Sequence, residues 1–209
     1  VAMVAALAFS AFQISVAAFH PFSSLIIRAL HVSFLMMLIF LLYPMRRGSH
    51  SGKLPWYDAI LALLAFSLGF YHLVFEADLI ARSGDPTMPD LVVATLASVL
   101  VFETARRVVG WALPVVCGGF LFYGFFGQYF PEAMAHRGFG FDQIVSQLYL
   151  GSDGILGTPT LVSATYIFLF ILFGTFLEHA GMINLFNSLA LGLVGRAQGG
   201  PAKVAVISS

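Results

Sequence analysis

The chain has 209 residues, of which 59% are hydrophobic and 10% charged, with a formal net charge of zero and a mean hydropathy of +0.92. Soluble domains carry about 25% charged residues, so this composition excludes an ordinary water-soluble fold, which would lack polar groups to cover its surface. The balanced charge gives nucleic acid no footing, and a single cysteine, Cys117, excludes an intramolecular disulfide and argues against a cysteine metal cluster.

Crossing about 30 Å of hydrocarbon takes roughly 20 helical residues, and six apolar runs meet or approach that length. They cover residues 1–19, 23–43, 56–75, 90–102, 110–129 and 159–179. The first run lacks a charged flank and a cleavage signature, which fits a membrane helix better than a signal peptide. The fourth reaches full length by continuing through Glu103 to Arg107, with those side chains snorkelling into the headgroups. Asp90 after Pro89 sets a negative charge at the positive end of this fourth helix.

Two further segments are too short or too polar to cross. In "GFDQIVSQLYL", Phe141, Ile144, Val145, Leu148 and Tyr149 recur at i, i+3, i+4, i+7, i+8, with Asp142, Gln143, Ser146 and Gln147 opposite. This pattern predicts an amphipathic helix lying on the outer surface or against other helices. The glycines at 151, 154 and 157 mark a flexible turn, and Thr158 followed by Pro159 predicts an N-cap for the sixth span, which Gly181 closes. "INLFNSLALGLVGR" predicts either an interfacial helix or a short tilted span, with Ser188 and Gly192 at a spacing that permits close helix approach. The expected fold is therefore an all-α integral membrane protein of about six spans, one amphipathic surface helix and a short C-terminal helix.

Charges between the runs give an orientation, because short cytoplasmic loops collect Lys and Arg. Arg46, Arg47 and Lys53 follow the second span, whereas Glu76, Asp78, Asp85 and Asp90, against Arg82 alone, surround the turn after the third. Arg106 and Arg107 end the fourth, the fifth leads to a loop with Arg137 against Glu132, Asp142 and Asp153, and Arg196 and Lys203 follow the sixth. Basic and acidic loops alternate. The expected arrangement has a cytoplasmic N-terminus, loops 44–55 and 103–110 inside, and loops 76–89 and 130–158 outside.

Ionisable residues inside a membrane are functional candidates because leaving them in hydrocarbon is costly. Arg28 and His31 share one face of the second span with Ser24. They suit contact with an anionic substrate or a docking partner, but snorkelling to the headgroups or a tether to a neighbouring helix is the commoner fate of such groups and the favoured reading. Glu103 with Arg106 and Arg107 forms an i, i+3, i+4 cluster best read as an interfacial ion pair. His72 and Glu76, and likewise Glu178 and His179, read as wet interfacial pairs, since no third ligand of fixed spacing makes either a metal site. "GSDG" at 151–154 lacks the spacing of a nucleophile elbow, and no phosphate-binding loop, paired H-E-x-x-H or dinucleotide fingerprint occurs, so neither an enzyme nor a resident cofactor is expected.

Three stretches carry a resemblance: "ETARRVVGWALP" at 103–114, "GTPTLVSATYIFLFILFGTFLEHAG" at 157–181 and "GRAQGGPAKVAVISS" at 195–209. Together with "RALH" at 28–31, "LLYPMRRG" at 41–48, "PWYDAILA" at 55–62 and "AHRGFGFDQIVSQLYL" at 135–150, they resemble the fused permease of TRAP (tripartite ATP-independent periplasmic) transporters, of the type served by TAXI-class binding proteins. The resemblance implies a four-helix small-subunit-like domain over 1–107 and the start of a large permease subunit over 108–209. It also implies an elevator-type carrier of the inner membrane, in which a periplasmic TAXI-type binding protein delivers a carboxylate and a Na+ or H+ gradient drives uptake. Under this reading the chain supplies mainly scaffold and stops before a re-entrant hairpin that helps form the transport site, so Ser208 and Ser209 are the nearest binding candidates. The competing expectation is a multi-pass membrane anchor or assembly subunit that transports nothing.

Overall fold

The structure is a computed structural model that describes residues 1–45 and 55–194. It divides into two compact units, Val1–Thr165 and Tyr166–Ser209. Among the described residues there are helices and no strands, and six helices are long and apolar enough to cross a membrane, Ala2–Phe19, Ser24–Leu42, Trp56–Ala81, Met88–Val108, Ala112–Tyr129 and Thr158–His179. The chain is an all-α, multi-pass integral membrane protein.

In the first unit, α1 (Ala2–Phe19), α2 (Ser24–Leu42), α3 (Trp56–Ala81) and α4 (Met88–Val108) precede α5 (Ala112–Phe126), which tightens into a 3-10 turn over Gly127–Tyr129. Small residues set the spacing. Ala29 of α2, Ala62 and Ala65 of α3, and Ala94 and Ala97 of α4 are buried together beside Met36, Phe40, Leu68 and Leu100. Such side chains let backbones approach, and dispersion over that contact replaces the hydrophobic drive that lipid cannot supply. Between α2 and α3 the close approach falls at Gly69, where an added Cβ would lie 2.5 Å from Ser33 Oγ and 3.3 Å from the Ala29 carbonyl oxygen.

Helix ends follow local chemistry. Ser23 caps α2, its Oγ accepting from the Ile26 N–H at 3.3 Å. Asp90 lies at N3 of α4 and accepts the Thr87 N–H at 2.8 Å, one half of a capping box, and the Met88–Pro89 pair occupies the first helical positions. The third helix loses helical geometry at Phe75 (φ −111°, ψ 16°) and then continues to Ala81, so the expected end at 75 coincides with a local break. Residue Gly157 rather than Thr158 caps the sixth span, a shift of one position, and Gly181 follows it with φ 80°.

The amphipathic segment forms α6 (Phe141–Val145) and continues as a π-helical turn over Ser146–Leu150. Of the two placements its pattern allows, it takes the one against other helices: Val145 and Tyr149 are buried in the same core as Ala94, Ala97 and Leu68, while Asp142, Gln143 and Gln147 stay exposed. The turn that follows is close-packed. A Cβ at Gly154 would stand 2.3 Å and 2.4 Å from the carbonyl oxygens of Gln147 and Leu148, so glycine is required there by contact with backbone rather than by flexibility. The chain then enters α7 (Thr158–Val162) and a second π-helical turn, Ser163–Ile167, whose early residues complete this unit.

The second unit contains α8 (Phe168–His179) and α9 (Met182–Val194). The thirteen described residues of α9 rise about 20 Å, short of the roughly 30 Å hydrocarbon thickness. His179 faces its own helix, its ring nitrogen 2.9 Å from the Thr175 carbonyl oxygen.

Candidate functional site

Polar side chains of the first unit gather in three layers along the helices. At one end, the last turn of α4 meets the start of α3 and the end of α2. Arg107 Nη1 donates to Asp58 Oδ1 at 2.8 Å and to the Tyr43 carbonyl at 3.0 Å, and its Nε donates to Glu103 Oε1 at 2.8 Å. Glu103 also accepts both nitrogens of the Arg106 fork at 2.7 Å. Arg107 lies over the Phe40 ring at 4.6 Å and Arg106 over Trp111 at 5.3 Å. The two arginines therefore differ: the Arg107 side chain is 3% exposed and Asp58 0%, whereas Arg106 stays 22% exposed. Arg107 is an internal clamp, and only Arg106 keeps the interfacial character expected of both. Arg46 and Arg47 lie outside the described residues.

The middle layer contains Arg28 and His31. The His31 ring is buried between Gln13 of α1, with Nε2 2.7 Å from His31 Nδ1, and Ser163 Oγ, 3.1 Å from His31 Nε2. The same Gln13 amide donates to the Ala164 carbonyl at 2.8 Å. Two side chains thus grip the first residues of the π-helical turn, where the backbone register departs from α-helix. Arg28 Nη1 donates to the Leu156 carbonyl at 2.8 Å and Nη2 to Ser24 Oγ at 2.7 Å. Both residues act as tethers between α2 and the segment entering the sixth span, although part of Arg28 also lines a cleft.

At the opposite end from the Arg107 clamp, Asp90 is fully buried and joins the end of α3 to the start of α4. It accepts from Thr87 Oγ1 at 2.6 Å and from the Tyr71 hydroxyl, and Arg82 Nη1 stands 3.5 Å from it. The Ser23 hydroxyl donates to Glu76 beside it. Two adjoining clefts of about 500 and 440 Å³ open here. Arg82, Asp142, Gln147 and Asp153 line the larger, and Ser24, Arg28 and Glu76 the smaller.

His72 does not form the expected wet pair with Glu76. Its ring is fully buried and stands edge-on to Tyr149, with centroids 5.0 Å apart. Ser208 and Ser209 lie outside the described residues. Sequence reasoning missed Gln13, Asp58 and Tyr149; the first two carried a signal, being the single amide of the first span and a carboxylate within the first turn of the third.

An alternation of clamped helix ends around an alanine-rich seam, with six lipid-length helices among the described residues, defines a multi-pass membrane protein with a braced helical frame. Its family follows from the sequence: the model of the tripartite ATP-independent periplasmic transporter, DctM component, matches residues 96–209, more than half of the chain. The chain belongs to that family and is a TRAP transporter permease component, which implies a periplasmic binding protein as partner. No curated protein and no solved structure matches it.

Proposed function

We propose that this chain forms the stationary frame of a fused TRAP permease that takes up a carboxylate-type solute delivered by a TAXI-type binding protein and driven by a Na+ or H+ gradient. In this reading residues 1–107 correspond to the small subunit and residues from 108 onward to the beginning of the large one, with the N-terminus in the cytoplasm and the protein in the inner membrane. The observation that carries it is the bracing of α2, α3 and α4 at both ends. Asp58, Arg107 and the Tyr43 carbonyl join them at one end, and Asp90, Tyr71 and Thr87 join α3 to α4 at the other. A part that stays fixed while another slides needs such internal closure, because a frame that sheared would dissipate the motion.

The acidic end supports a docking role for the binding protein. Asp85 and Asp142 are exposed there, and Asp142 lines the larger cleft beside Asp153. Complementary charge speeds encounter and fixes orientation more than it adds affinity. Reversing both charges, Asp85→Lys with Asp142→Lys, in the full transporter reconstituted with its binding protein should raise the binding-protein concentration needed for half-maximal uptake. Uptake that is unchanged at every binding-protein concentration would reject this surface, and uptake that needs neither a binding protein nor an ion gradient would reject the transport reading itself.

A further inference from the structure

The smaller of the two clefts carries one charge of each sign, and neither is neutralised by the other. It encloses about 440 Å³, within the roughly 300–1,000 Å³ of small-ligand sites, and both Arg28 and Glu76 line it. Arg28 gives two N–H groups to neutral acceptors, the Leu156 carbonyl at 2.8 Å and Ser24 Oγ at 2.7 Å. Glu76 accepts the Ser23 hydroxyl. Among the described residues the arginines in ion pairs are Arg82, Arg106 and Arg107, so Arg28 and Glu76 border one cavity without pairing across it.

The cleft lies at headgroup level. Glu76 is twenty residues beyond Trp56, the first residue of α3, which is about 30 Å along the helix and matches the hydrocarbon thickness. Leu25, Leu79 and Ile80 give the cleft an apolar side, and Ile80, at the end of a lipid-crossing helix, is 65% exposed. A charged cavity thus adjoins lipid-facing surface.

A simple anion would satisfy Arg28 and be repelled by Glu76, and a simple cation the reverse. A zwitterion with its two charges on a short linker satisfies both. The guanidinium fork matches phosphate oxygens two at a time, and Ser24, which accepts from Arg28, keeps its own O–H to donate. On the other side, the Glu76 carboxylate and the hydroxyl oxygens of Ser83 and Ser152 are acceptors, and no aromatic ring is among the lining residues. That set suits a primary ammonium with its three N–H donors, not a quaternary one, which aromatic faces hold.

We propose that this cleft binds the headgroup of a membrane phospholipid carrying a phosphate and a primary amine, the phosphatidylethanolamine class, with the phosphate on Arg28 and Ser24 and the ammonium on Glu76. The site depends on the spans and the cleft, not on the transported solute or the transport reading. It gives Arg28 a second role, since the side chain that tethers Leu156 also anchors the lipid.

Native mass spectrometry of the full chain in detergent, titrated with phosphatidylethanolamine, phosphatidylcholine and phosphatidylglycerol of identical acyl chains, reads the affinities. The parent should bind the ethanolamine lipid about tenfold or more tighter than either of the others, the difference that one hydrogen bond to a charged group makes. Glu76→Gln keeps an acceptor for Ser23 and removes the charge, so the preference should pass to phosphatidylglycerol. Arg28→Gln should weaken binding of all three lipids, and Arg28→Lys should restore part of it. Glycerophosphoethanolamine, the same headgroup without acyl chains, should not displace the lipid at equal concentration. Equal affinity for the three lipids in the parent, or an ethanolamine preference that survives Glu76→Gln, overturns the proposal even if the Arg28 variants do not fold. Folded Arg28→Gln that binds every lipid as the parent does overturns it too. So does displacement by the soluble headgroup at equal concentration, because the occupant is then a free zwitterion.

Discussion

Arg107 in the last turn of α4 and Asp58 in the first turn of α3 form a salt bridge of 2.8 Å with both side chains essentially removed from solvent. Breaking a buried pair leaves an uncompensated charge, which costs about 3–5 kcal/mol. Asp58→Ala should fall near the lower bound, about 3 kcal/mol, because Glu103 and the Tyr43 carbonyl still serve Arg107. Arg106→Ala removes only the exposed half of the same cluster and should cost under about 1 kcal/mol. Denaturant or thermal unfolding in detergent measures both, and equal losses would contradict the distinction between clamp and surface pair.

The turn after the amphipathic segment offers a second contrast. Gly154→Ala would drive a methyl group against two backbone oxygens, whereas a Cβ at Gly151 meets nothing within 4 Å. Overpacking against backbone typically costs about 1–3 kcal/mol. Gly154→Ala should therefore destabilise the protein by that amount and weaken the Ile155 N–H to Leu148 carbonyl bond of 2.7 Å, while Gly151→Ala stays within experimental error of the parent. Slower hydrogen exchange at Ile155 in Gly154→Ala than in the parent would be the opposite of what this geometry requires.

The spans were readable because the bilayer imposes one length on every crossing helix, and no tertiary knowledge is needed to count apolar runs. The Asp90 charge at the start of α4 and the glycine at 181 were readable for a similar reason, since helix ends have local requirements. The polar layers were not. Arg28 and His31 stood out as polar residues in an apolar run, but their partners Leu156 and Ser163 are more than a hundred residues away, and helix rotation decides whether such groups meet. His72 shows the error this produces: its spacing from Glu76 suggested a wet pair, while the rotation of α3 turns the ring toward Tyr149. The π-helical turns left no sequence signature, because their register follows from what grips them.

Gln13 is the residue on which the middle layer turns. Its amide nitrogen serves both His31 and the Ala164 carbonyl, so Gln13→Leu, close in volume, leaves two buried groups without that donor. Each orphaned group costs about 1–3 kcal/mol. His31 keeps Ser163 as a second partner, so the loss should be near 2 kcal/mol rather than the sum. The accompanying sign is faster amide exchange across Ser163–Ile167. A Gln13→Leu protein as stable as the parent would mean that the amide bonds do not hold this turn.

Sidedness can be tested on residues already described. Basic residues cluster at the α4 end that carries Arg106 and Arg107, and acidic ones surround the α3–α4 turn that carries Asp85. The positive-inside rule then puts Asp85 outside and the α4–α5 connection inside. Cys117 is exposed on α5, so it is first replaced by alanine, a change its lack of burial makes mild. In that background, Asp85→Cys should react with a membrane-impermeant maleimide on intact spheroplasts, because the residue is exposed in a polar turn. Val109→Cys, also exposed at the end of α4, should react only after permeabilisation. The opposite pattern would place the acidic clefts in the cytoplasm, out of reach of any periplasmic binding protein, and would remove the physical basis for docking there.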